Sequence, residues 1–539
     1  NMPVFWLPRL RLPGPTVERA TGFLIPSIRT TSSLGIGLKI PYFIKLSEKR
    51  DLTLTPYLSS STKTLELRYR QAYRNGRVQF DAAVTRDDLL EGETRGYLFG
   101  RGLFALPKDF TLYFAIETVT DDGYLESYGY SGADRLRSEL TLSRARRDEY
   151  IRASFYNFKS LRDDEDNDTL PTLVLDGEYE RRFFPQALGG EVRTRIVAHS
   201  HRRTSDLSVD SADADDVVDG RDVARLNAQV DWLRSFTLPG GLRTDTRVGV
   251  AFNEFNISQD FTTLEDPSEI TPHAAIILRY PLSKTSASGI SHVIEPVVQL
   301  SWTGGSRLDI PNEESTLVEF DQGNLLSLSR FPRADRRERG AMAAIGIGWS
   351  RFNPTGWDAQ ISVGQVFRED DDSSFSTTSG LNGLSSDFLI AGQIASGDGI
   401  SLTGRSLFEQ DLTLSKAELR GDYAFKRGRI GGSYVWLQDD LEEDRATEVS
   451  EFTIDGSYKI NKFWTASADW RYDIASDRAA TAGLGLSYKN ECVTLNLTVE
   501  RSYTTSTSVE PSTDFGFNVG LRGFSANTGT ERYASSCSN

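Results

Sequence analysis

Residues 464–472, WTASADWRY, decide the fold: Trp464, Ala466, Ala468, Trp470 and Tyr472 fall on one face of an extended chain, and Thr465, Ser467, Asp469 and Arg471 on the other. The same period of two recurs at Thr64–Tyr69, where Leu65, Leu67 and Tyr69 oppose Glu66 and Arg68. It recurs again at Ile151–Phe155 and Val493–Val499. Strands of soluble sandwiches usually run about five or six residues. These runs are longer, carry charge on one face and place aromatics at their ends, the pattern of a transmembrane barrel with a polar lumen, an apolar outer band and aromatic girdles.

Working outward, no window approaches the ~18 consecutive apolar residues of a membrane-spanning helix. Nor does the chain show the long, capped 3.6-period segments of a helical protein. Candidate strands number about 24 to 26, in line with the even-numbered large bacterial barrels. They include Leu34–Phe43, Arg77–Val84, Val223–Leu233, Arg243–Phe252, Trp357–Phe367 and Ala479–Tyr488. The expected fold class is all-β: a large antiparallel transmembrane barrel of about 26 strands, with residues 1–539 forming one barrel domain.

Two kinds of connection join the runs. Arg74-Asn75-Gly76 and Pro239-Gly240-Gly241 are tight turns, whereas Asp163–Asp168, Ser205–Asp222, Asp370–Ser386 and Asp439–Asp444 are long and acidic. Short turns belong on the periplasmic side and long loops outside. The acidic loops supply much of the net charge of −15 and read first as solvated surface. Asp164, Asp166 and Asp168 lack the glycine that an EF-hand needs, so they define no calcium site.

Catalytic constellations are scarce. His199 and His201 share a strand face without a third metal ligand in view, and His273 and His292 are isolated. There is no nucleophile elbow and no GxxxxGK[ST] loop. With two Cys, two Met and four His, little room remains for a metal or redox site. The expectation is a protein that is not an enzyme, with no cofactor, no metal and no nucleic-acid partner.

Two stretches depart from the hairpin rhythm. The leading edge, Pro3–Pro26, holds Pro3, Pro8, Pro13, Pro15 and Pro26; proline donates nothing to a ladder, so this edge is a weakly bonded seam. The second stretch is His292–Gly340. It opens as a strand, HVIEPVVQL, containing Glu295 and Pro296, and runs through the polar segment Asn312–Asn324 into LLSLSRFPRADRRERG. There Arg330, Arg333, Arg336, Arg337 and Arg339 surround Asp335 and Glu338. Either the arginines bind phosphate through their planar forks, or they form an internal ion-pair network that orders a long loop.

PVFWLPRLRLP, RATGFLIPSI, PYFIKLSEKRDLTLTPYL, HVIEPVVQL, EFDQGNLLSLSRFPRADRRERG and SYKNECVTLNLTVERSY, in that order over nearly the whole chain, resemble the C-terminal barrel of the LptD family, the lipopolysaccharide-assembly outer-membrane proteins. The resemblance implies a translocon of a Gram-negative outer membrane rather than a catalyst. It implies partners: an LptE-type lipoprotein plug in the lumen, periplasmic bridge proteins that deliver lipopolysaccharide, and outer-membrane lipid. The family's N-terminal periplasmic jelly-roll and signal peptide are expected to be missing from this chain. The resemblance also implies a lateral gate between the first and last strands, assigned to Pro8, Pro13 and Pro26 on one side and Phe515 and Phe517 on the other. Glu295 and the five arginines become a luminal loop network. Cys492 matches a family cysteine that pairs with the N-terminal domain, and Cys537 matches no family position, so a Cys492 to Cys537 bridge stays open. The alternative reading is a passive porin or receptor-type channel barrel.

Overall fold

The computed structural model describes residues 21–521 except 25, 212–215, 264–266, 444, 491–492 and 504–511. Its 29 strand segments form one sheet, and three pairs of them are single strands broken at a proline: Gly22–Phe23 with Ser27–Thr31 at Pro26, Gly35–Lys39 with Tyr42–Ser47 at Pro41, and Ser268–Arg279 with Leu282–Thr285 at Pro281. That leaves 26 antiparallel strands. Each pairs with its neighbours in sequence, and Ser27–Thr31 pairs with the last strand, Ser512–Leu521, so the sheet closes into a barrel. No helix is long and apolar enough to cross a membrane among the described residues.

The prolines show how the chain stays paired while losing donors. Pro56 and Pro296 sit inside strands, yet their carbonyls still accept bonds from Ile40 (3.0 Å) and Tyr280 (3.1 Å). Leu34–Phe43, expected as one run, instead starts at Gly35 and breaks before Tyr42, because Pro41 cannot donate there.

Alternation sorts the side chains as a membrane requires. In Asp222–Thr237 the inward Arg225, Asn227, Gln229 and Asp231 are buried, while the outward Leu226 and Val230 are 41% and 46% exposed. This inverts the order of a soluble protein and suits a wall between a polar interior and lipid. Outward aromatics, among them Phe183, Phe236, Trp357, Phe425 and Tyr458, end strands beside the short turns, where a girdle belongs. Those turns use strained backbone where needed: Gly240 and Gly241 take φ of 85° and 89° at the Pro239 turn.

All four acidic connections expected to be long emerge at one end of the barrel, opposite the Asn75 and Gly240 turns. The longest connection, residues 304–339, joins Ser291–Thr303 to Gly340–Phe352 at that same end. It does not project outward: Val318, Phe320, Leu325 and Phe331 pack with Ala344, Val366, Phe375, Leu381, Leu389 and Leu407 into a core beneath the loops. A second core forms where the loop carrying the one-turn helix Tyr124–Ser127 turns inward, burying Tyr124, Leu125 and Tyr128 against Leu34, Tyr57 and Leu136.

Candidate functional site

Two features stand out against the regular wall: the luminal segment 304–339 and the junction of first and last strands. The segment is fixed by ion pairs, one within itself and the others to partners far away in sequence. Glu338, 1% exposed, receives Arg330 Nη1 at 2.8 Å and Arg368 Nε at 2.6 Å, both guanidinium groups being buried. Burial pushes its carboxyl up, and the two arginines more than offset this, holding it below the usual carboxylate range. Arg339 donates to Glu269 at 2.5 Å, to Thr271 and to the Gly304 carbonyl.

At its other end the segment presents two adjacent carboxylates. Glu314 takes a bidentate pair from Arg225 at 2.8 and 2.7 Å. Glu313 is held by His201 (2.7 Å), Arg203 (2.9 Å) and Arg221 (3.0 Å). Burial raises the Glu313 pKa, but these partners outweigh it and set it at about 2. His199 bonds Asp176 at 2.7 Å and His201 at 3.1 Å, so the histidine pair serves as part of the tether.

The arginine cluster is therefore divided. Arg330 and Arg339 belong to the buried network, and Arg336 spends its guanidinium on the Ile310 carbonyl (2.6 Å) and Ser374 (3.1 Å). Arg337 makes one bond, to Gln229 at 2.9 Å. Arg333 is exposed and, among the described residues, makes no hydrogen bond or ion pair, its charge reaching Asp176 at longer range. Glu295 is not brought to this cluster: it lies in the wall strand and pairs with Arg279 at 3.2 Å. Sequence reading missed Arg368, Glu269, Glu313, Glu314 and Arg225. Arg368 and Arg225 carried a signal, as charged residues on the inward register of long strands near their loop ends.

The junction is built differently. Ser27–Thr31 opposes Asp514–Asn518 over five residue pairs, whereas Asp222–Thr237 opposes Arg243–Ser258 over sixteen. Among the described residues the short-turn half of the first strand, Gly22–Phe23, pairs with Tyr42–Phe43 only, while the last strand is paired with Val493–Ser502 out to Leu521. Pro26 stands, exposed, next to Ser27, the last of the described pairs across the junction. Phe515 and Phe517 point outward beside Thr30 and Ile28. On the inner face Arg29 donates to Asp514 at 2.6 Å and also to the Tyr128 carbonyl of the inturned loop. The loop makes space for it at Gly129, φ 58°, where a Cβ would fall 2.6 Å from the guanidinium. Pro8, Pro13, Cys492 and Cys537 lie outside the described residues.

A sequence model described as LptD, LPS transport system D, matches residues 93–464. The chain is 22% identical to the LPS-assembly protein LptD of Vibrio cholerae over 98% of its own length and 71% of that protein. It is 22% identical to that of Vibrio vulnificus over 99% and 72%, and 23% identical to that of Nitrosococcus oceani over 93% and 67%. With a family match over more than half its length and a closed 26-strand barrel behind it, the chain belongs to the LptD family.

Proposed function

We propose that this chain is the barrel of an outer-membrane lipopolysaccharide translocon in a Gram-negative bacterium, acting as a transporter and not as a catalyst. It takes the glycolipid from a periplasmic bridge, carries the sugar through the polar lumen and releases the acyl chains sideways between the first and last strands. The chemistry of the cargo supports this route. Each buried CH₂ is worth about 0.8 kcal/mol, so leading several acyl chains through a watery lumen is prohibitive, while a side exit keeps them in lipid. The observation that carries the reading is the junction itself, which lacks the hairpin that ties every other neighbour and is paired over five residues among the described ones.

An LptE-type lipoprotein belongs, in this reading, against the inner face of strands such as Trp464–Asp473, where Ser467, Asp469 and Arg471 are exposed. Thr30 and Phe515 face each other directly across the junction. A Thr30→Cys, Phe515→Cys pair, oxidised, is expected to stop lipopolysaccharide reaching the cell surface while the barrel stays folded, with export restored by reductant. Export through the locked junction overturns the gate. Purification from native membranes is expected to yield a stoichiometric small lipoprotein; a freely conducting barrel without one supports the passive channel instead.

A further inference from the structure

The short turns divide their rim of the barrel into unlike sectors. Those at 184–190, 238–242, 286–290 and 353–356 contain no charged residue. Others mix the two signs, Glu48 beside Lys49, Lys108 beside Asp109 and Arg147 beside Asp148, with Arg74 alone in its own turn. Three consecutive turns differ from both. Lys426 and Arg427 join Leu414–Phe425 to Gly428–Leu437, Lys459 and Lys462 flank the turn from Val449–Lys459 to Trp464–Asp473, and Lys489 ends Arg478–Lys489. Backbone bonds stitch these turns together, Lys459 N–H donating to the Arg427 carbonyl at 2.6 Å and Lys489 N–H to the Phe463 carbonyl at 2.8 Å, so they form one continuous stretch of rim. All five cations are exposed, and among the described residues none makes a side-chain hydrogen bond or an ion pair. Asp422 and Asp455, farther along the same hairpins, face inward and pair with Arg420 and Arg429. On the outer face beside the cations lies a belt of rings: Phe425 is 5.3 Å from Tyr423 and 6.3 Å from Tyr458, and Tyr488 is 5.0 Å from Trp464 and 5.7 Å from Phe463. The Lys462 ammonium lies 4.7 Å from the centre of the Phe463 ring.

We propose that this stretch of rim is a docking surface for anionic glycerophospholipid, with Lys426, Arg427 and Lys462 taking the headgroup phosphates and the ring belt lying at the level of the glycerol. Charge complementarity selects the occupant. Cations in a row without counter-ions repel one another, and a sheet of lipid phosphates removes that repulsion while drawing in juxtamembrane lysine and arginine. Geometry agrees, since long basic side chains lay their stems along apolar surface and carry their charge to the interface, where tyrosine and tryptophan rings also settle. The uncharged sector sits at the same end and also meets lipid: Phe184, Leu188 and Leu282 are 60%, 59% and 50% exposed there. It has no charge with which to tell one headgroup from another. Preference for anionic lipid is therefore confined to one flank of the barrel, the flank that leads through Val493–Ser502 to the closing strand Ser512–Leu521.

The site rests on the outer-membrane reading for the leaflet that supplies the lipid, but its selectivity is measurable without transport. The full chain in detergent, with any co-purifying lipoprotein, is titrated with phosphatidylglycerol or phosphatidylcholine, and bound lipids are counted by native mass spectrometry. Phosphatidylglycerol is expected to bind about tenfold more tightly, with the preference shrinking as ionic strength rises. The triple variant Lys426→Gln, Arg427→Gln, Lys462→Gln is expected to lose the preference. These side chains are exposed and unpaired, so an unchanged melting temperature is expected to accompany the loss. A control triple, Lys49→Gln, Lys108→Gln, Arg147→Gln, removes as much charge from turns of mixed sign and is expected to keep the preference. Equal binding of the two lipids by the parent, a preference indifferent to salt, one that survives in the triple variant, or one lost equally in the control overturns the site. Glycerol 3-phosphate displacing phosphatidylglycerol at equal concentration assigns the cations to a soluble phosphate and overturns the lipid. Neither junction nor cargo enters this readout, so its failure leaves the translocon reading standing, and export through the locked junction leaves this site standing.

Discussion

The wall at Asp222–Ser258 and the junction of first and last strands are parts of the same sheet with opposite construction. The wall is paired over sixteen residues and backed by a segment fastened through buried arginines and carboxylates. The junction is paired over five and crossed on its inner face by the Arg29–Asp514 ion pair. The longer ladder and the buried fastening of segment 304–339 thus fall on the wall rather than on the junction. A closed sheet has no edges, so under the proposed gate it parts at the one junction that no hairpin ties.

The contrast is broken most severely by emptying the wall's ion pairs. Glu338→Ala leaves Arg330 and Arg368 buried and unmatched; a loss of about 3–5 kcal/mol is expected, read as a lowered melting temperature and new tryptic cleavage at Arg333, Arg336 or Arg337. Acid acts on the same fastening from the other end. The Glu313 pKa lies well below its ordinary value of 4.5, so the stabilisation it supplies is complete above that value and drains away as pH falls through it toward about 2. Hydrogen exchange of peptides covering 304–339 is expected to stay protected at pH 6 and to rise, after correction for intrinsic rates, between pH 4 and pH 3. Protection that is flat across this range contradicts the role given to Glu313. The junction is expected to respond least in stability and most in geometry. Arg29→Ala costs about 1 kcal/mol but broadens the distance distribution between spin labels at Thr30 and Phe515. Arg471→Ala, which removes an exposed pair with Glu451 in the open part of the wall, changes melting by under about 1 kcal/mol and leaves that distribution alone.

Fold was legible because alternation is local: Trp464–Tyr472 declares its two faces without help from any other residue, and the glycine and proline turns mark where each hairpin ends. The strand total was bracketed at about 24 to 26, and the structure sets it at 26 because Pro26, Pro41 and Pro281 interrupt strands rather than end them. The site was legible in part. The arginine cluster between Ser329 and Gly340 marked itself as unusual, and ordering of a long loop was one of its two readings. Which arginine did what depended on partners such as Arg368, Glu269 and Gln229, brought close only by barrel closure. Glu295 was grouped with the arginines because it shares their stretch, yet strand register carries it to the opposite half of the wall. The prolines assigned to the gate divide likewise: Pro26 stands beside the last described pair of the closing ladder, and Pro8 and Pro13 lie outside the described residues.

Arg29 makes the junction and the inturned loop into neighbours in a thermodynamic sense, since one guanidinium serves both Asp514 and the Tyr128 carbonyl. Linkage works in both directions: whatever grips the loop around Gly129 in its inturned form also favours the closed junction, and parting the strands loosens the loop. The inturned loop and the proposed exit are in this way joined by a single side chain.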